Sequence, residues 1–162
     1  MSAYSWIVYG HVVTVILAFM AHGVSGFVMF RARSERDRGR LAGILELSSA
    51  SLTAAGILLL VAIVSGIWAA VAGGHFAKFW PWASIIVLVV VIGSMTPLAA
   101  IPMGKIRTAL GLGRVKAGEP QPVPASDEDL AAAVARLRPE IPAAIGVIGI
   151  LLLAWMMRFK PF

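Results

Sequence analysis

Four runs of apolar residues, each long enough to cross a bilayer, decide what this chain can fold into. A hydrocarbon core about 30 Å thick is crossed by about 20 residues of α-helix at 1.5 Å each. The runs are Ser5 to Phe30, Leu41 to Ala72, Trp82 to Met103 and Ile141 to Met157. The second is longer than a tilted helix needs, so its useful span begins near Glu46. The expected fold is one all-α membrane domain over residues 1–162: a four-transmembrane-helix bundle with spans over 5–30, 46–72, 82–103 and 141–157 and a cytoplasmic loop over 104–140. Composition agrees, because only 14% of the residues are charged where a soluble domain carries about 25%. The leading residues MSAYSW hold no basic side chain and the first apolar run is too long for a cleavable leader, so the first span is expected to be retained.

Lys and Arg placement gives the expected orientation, since loops rich in them stay cytoplasmic. The first connection, RARSERDRGR, holds five arginines, and the third carries Lys105, Arg107, Arg114, Lys116, Arg136 and Arg138; the second has only Lys78. Both termini are therefore expected outside, with Arg158 and Lys160 a small exception. Tyr4, Trp6, Tyr9, Trp80 and Trp82 fit an aromatic belt at the outer interface. The basic residues crowd at the ends of spans, so the net charge of +6 points to anionic lipid head groups rather than nucleic acid.

The third connection has two parts. AGEPQPVPA is too rich in proline to hold a helix and reads as an extended linker. Behind it, SDEDLAAAVARLRPE offers Ser126 as an N-cap, acids in the first turn, arginines in the last and a stop at Pro139. Leu130, Val134 and Leu137 recur at i, i+4 and i+7, the pattern of a short amphipathic helix on the inner membrane face.

Absence of cysteine removes disulfides, thiolate metal sites and thiol nucleophiles. There is no phosphate loop, no HExxH and no catalytic serine constellation, so an enzyme is not the expected class. The chemistry that remains is inside the spans. An ionisable group in lipid costs several kcal/mol or more unless it is covered or paired, so His11, His22 and Glu46 are the candidates. On an ideal helix eleven residues turn by about 20° beyond three full turns, so His11 and His22 share a face about 16 Å apart. Counting inward from the arginines puts His22 and Glu46 at similar depth, which allows a hydrogen-bonded pair supported by nearby Ser and Thr. Met95 lies close to the depth of His22, and His75 is the histidine partner available to His11 on the outer side. His22 with Met95, or histidine pairs, would suit haem b in a bundle core; His22 and His11 with scattered methionines would suit a metal such as copper. A buried polar staple between helices accounts for the same residues. Pro97 and Pro102 are expected to bend the inner half of the third span.

The segments AHGVSGF and VSGIWAA, the arginine-rich first loop and the terminal FKPF resemble an uncharacterised family of bacterial four-helix integral membrane proteins, loosely similar to the copper-resistance D membrane group. That resemblance implies a multi-pass protein of the bacterial inner membrane with metal or haem handling and no defined reaction. Three functions are expected to compete. The first is a small accessory or redox-associated membrane protein holding haem b at His22. The second is a proton-coupled channel or transporter using His22 and Glu46, and the third a structural subunit of a homo-oligomer or larger membrane complex.

Overall fold

A computed structural model describes residues 2–113 and 120–161. Arg114, Lys116 and the start of the proline-rich linker, which enter the charge asymmetry, lie outside the described residues. All regular structure among the described residues is helical: α1 (Ala3–Ser34), α2 (Arg38–Ala72), a 3-10 turn (His75–Ala77), α3 (Phe79–Met95), a π-helical turn (Thr96–Ala100), α4 (Ile101–Ala109), α5 (Asp127–Ala135) and α6 (Glu140–Phe159). Four helical stretches are long and apolar enough to cross a membrane, with α3, the π turn and α4 running on as one. The protein is a multi-pass membrane protein.

Local chemistry sets the ends of these helices. Ser2 caps α1 by accepting from the Ser5 N–H, and Asp37 caps α2 by accepting from the Arg40 N–H at 2.7 Å. Between them the Glu35 carboxylate accepts from the N–H groups of Asp37 and Arg36, and with Arg31 and Arg40 nearby its pKa lies below the usual carboxylate value. Pro97 and Pro102 lack N–H donors, and the span answers with one wide turn in which the Ile101 N–H bonds to the Thr96 carbonyl. At the end of α4, Gly111 takes a positive φ of 78°, which lets Gly111 and Leu112 donate back to Thr108 and Arg107 and close the helix.

The spans form two antiparallel hairpins, each zipped along a heptad seam. In α1 the seam is Tyr4, His11, Ala18, Ser25 and Ala32; in α2 it is the buried set Leu41, Ser48, Ala55 and Ala62. A repeat of seven keeps small residues facing the neighbouring helix, so the backbones approach closely and wind left-handed around each other. Ser25 and Ser48 hydroxyls meet at 2.7 Å and Ser51 donates to the Ala21 carbonyl at 2.9 Å. In the second hairpin the buried heptad of α6 is Pro142, Gly149 and Met156, facing Ser84 and Val91 of α3. A Cβ on Gly149 would come 2.6 Å from Val91 Cγ2, so only glycine permits this crossing.

The four expected spans pack as these two hairpins joined at their ends. Within the most apolar window of each span, only 6 to 22% of the residues are buried by the rest of the chain, which leaves most of the spans to lipid or to other chains. The tightest core lies instead at the arginine-rich end, where Met29 and Ala32 of α1, Leu41 and Leu45 of α2 and Ile106 of α4 enclose Leu130, Val134 and Leu137. Ile106, Leu45 and Leu137 are at most 1% exposed. The helix from Asp127 forms where expected, with Ser126 accepting from the Asp129 N–H. Its apolar side is covered by the protein itself, so it is not free to lie on a membrane surface. Arg38 bonds to Asp127 and to the Ala125 carbonyl, both at 2.6 Å, and fastens this helix to the α1–α2 turn.

Candidate functional site

The heptad seam explains where the two membrane histidines go. Seven-residue spacing keeps His11 in the seam, but His22 stands four positions after seam residue Ala18, about 50° off the seam of a supercoiled helix. His11 packs into α2: its Nδ1 lies 3.0 Å from the Ala62 carbonyl and 3.2 Å from Ser65 Oγ. The carbonyl can only accept, so Nδ1 carries the proton in that bond. His22 is exposed, as are its neighbours Gly23, Val24 and Gly26. A Cβ on Gly23 or Gly26 would meet nothing within 4 Å, so this part of α1 is a flat, open strip beside an imidazole. No hydrogen bond from His22 to any described residue is formed.

Glu46 is exposed as well, on the side of α2 that points away from α1, and has no hydrogen-bond partner among the described residues. The antiparallel register sets Ser25 opposite Ser48, so Glu46 is about five residues, or about 7.5 Å along the axis, closer to the arginine-rich end than His22. The structure does not bring the two together. What fills that level is the Ser25–Ser48 pair.

Met95 is turned toward α6, where a Cβ on Gly146 would lie 3.8 Å from its Cε. It packs within the second hairpin, whereas His22 belongs to the first. His75 is held by Tyr4, whose hydroxyl lies 3.2 Å from Nε2, while His11 is bonded two turns deeper at Ala62; these two are not brought together either. Among the described residues no three of His, Asp and Glu gather as a metal-holding group. A cleft of 490 Å³ opens between the α1–α2 turn and α5, lined by Arg36, Arg38, Leu41, Asp127 and Leu130, and His22 is not part of it. A haem on His22 would therefore sit on the outer surface of α1.

Two groups of residues carry more of the structure than their sequence positions suggest. Arg107, one basic residue among many in the third connection, reaches across to α2 and donates to the Leu45 carbonyl at 2.8 Å and to Ser49 Oγ. At the other end, His75 stands between Tyr4 and Trp80, with ring centroids 6.4 and 5.4 Å apart, and the Lys160 ammonium lies 5.7 Å from the Trp80 ring centre. The sequence signals were present in the serine at position 49 inside a span and in the late lysine, but neither fixes a partner across about 60 to 80 residues.

The fold and these side chains define a polytopic membrane protein of two hairpins that keeps one ionisable residue of each helix in the first hairpin on its outer surface. No protein-family profile, no curated protein and no solved structure matches the chain.

Proposed function

We propose that the protein is an accessory subunit of a membrane assembly, inserted with both termini outside in a bacterial inner membrane, and that it docks another membrane helix on the His22 strip of α1. One observation carries this reading: His22 is exposed in the middle of a span, beside Gly23 and Gly26, and has no partner within the described chain. Facing lipid, that imidazole costs several kcal/mol; facing a helix seated on the glycines, it finds a hydrogen-bond partner at close range. A second copy and a different membrane protein are both suitable occupants. Haem b is the sharper version of the same proposal. One chain offers a single free imidazole here, so a six-coordinate iron on His22 draws its second ligand from the docked chain. Proton-coupled transport through His22 and Glu46 has less support, because no hydrogen-bonded path among the described residues links them.

The test is a photo-crosslinking residue placed at Gly23 in native membranes, with the same residue at Ile57, exposed on α2, as a control. A discrete adduct from position 23 and none from 57 is expected. Equal, diffuse labelling of lipid from both positions would remove the docking surface.

A further inference from the structure

We propose that Tyr4, His75, Trp80 and Lys160 form a proton-released latch, which holds the aromatic ends of the two hairpins together while His75 is neutral and lets them part when its ring takes up a proton. The latch lies at the junction of the hairpins. Tyr4 comes from α1, His75 from the turn after α2, Trp80 from the first turn of α3 and Lys160 from the end of α6. Tyr4 to His75, His75 to Trp80 and Lys160 to Trp80 are successive contacts that cross from one hairpin to the other. Among the described residues the remaining polar links between hairpins, Arg107 to α2, Arg38 to Asp127 and Arg33 to Glu140 at 3.3 Å, are all at the arginine-rich end.

The local chemistry makes the neutral ring the one that fits. A Cβ on Gly73 would come within 2.7 Å of His75 Nε2 and 2.9 Å of Tyr4 Oη, so the pair closes only over glycine. With the proton on Nδ1, Nε2 accepts from the Tyr4 hydroxyl; a second proton on Nε2 reverses that bond, the Tyr4 oxygen then accepting, and sets a positive charge on the ring facing Lys160 and Lys78. The charged groups facing the ring are Lys160 from α6 and Lys78 from its own turn, both cationic, and Arg158 of α6 is turned over its own Phe159 ring. No carboxylate side chain among the described residues is on this end: Glu35, Asp37, Asp127, Glu128, Asp129 and Glu140 are at the other end and Glu46 in the adjacent half of α2. Partial burial, then Lys160 and Lys78, hold the His75 pKa below its ordinary value. Trp80 favours release as well. It is only 9% exposed and its Nε1 has no hydrogen-bond partner, so opening gives that N–H access to water.

The sign follows from linkage. A base whose pKa is lowered in the closed state binds its proton more readily in the open one, so closure is complete above about pH 6.5 and weakens as the pH falls below it. The chain has no cysteine, so spin labels can be placed at will. Labels at Ala3 and Met157 in liposomes are expected to give a short, narrow distance at pH 7.5 and a longer, broader one at pH 5, while a reference pair at Ser34 and Ala132 stays fixed. Gly73→Ala should give the long distance at both pH values, and His75→Gln should abolish the pH response. A wild-type distance that ignores pH, an equal response in His75→Gln, or an equal change at the reference pair would each overturn the latch.

Discussion

The imidazole of His11 fills the space that a side chain on Gly66 would need: a Cβ there would lie 2.8 Å from His11 Cε1. Gly66→Ala must therefore push the ring off Ala62 and Ser65, at an expected cost of about 1 to 3 kcal/mol. In a His11→Ala background that clash is gone, and the same change is expected to gain up to about 1 kcal/mol from helix propensity. Reversible unfolding in detergent of the four proteins of this cycle would show the sign change. The same cost in both backgrounds would mean the two residues do not meet.

That relationship also marks how far the sequence could be read. Apolar length alone located all four spans, and the Ser126 cap and the acids after it located α5, because these signals are local. The histidine geometry went astray through helix pitch: eleven residues bring His22 back over His11 on a straight helix, but the seven-residue recurrence of Tyr4, His11, Ala18, Ser25 and Ala32 sets the supercoil, and on it His22 rotates out of the seam. Depth counting placed His22 near Glu46 without saying which way each points, and Glu46 faces away from α1. The pairing of the spans into two hairpins depends on packing between distant segments, such as Gly149 on Val91, which no local pattern encodes.

Leu137 is 1% exposed in a core built by four helices at the arginine-rich end, where water competes for apolar surface. Leu137→Ala is expected to destabilise the protein by about 2 to 5 kcal/mol, toward the lower value if α5 settles inward. Loss of thermal stability should be accompanied by faster proteolysis of the segment before α6. If α5 instead lay on lipid, this substitution would leave stability in detergent unchanged and lower only the affinity for vesicles.

Orientation has its own test. If both termini lie outside, as proposed, a cysteine at Ser34, exposed at the arginine-rich end, is expected to escape an impermeant thiol reagent in intact cells, and one at Ala77, exposed in the turn before α3, to react. Since the natural chain has no cysteine, any labelling reports the introduced residue. The reverse pattern would invert the topology and place the His75 latch on the cytoplasmic side.

The last prediction separates the two histidines by their surroundings. His11 Nδ1 is engaged with Ala62 and its ring is wedged over Gly66, whereas His22 is exposed beside Gly23 and Gly26 and forms no hydrogen bond with a described residue. If the docked form binds haem, protein expressed with haem in excess will show a Soret band that His22→Ala abolishes and His11→Ala leaves, although His11→Ala lowers stability. Because a single chain supplies one ligand, the band should follow the assembled species through size separation and be absent from the monomer. Haem in the monomer would require a second axial ligand from within the chain. Assembly that depends on His22 with no Soret band would leave docking in place, with the imidazole acting as a hydrogen-bonding group between helices.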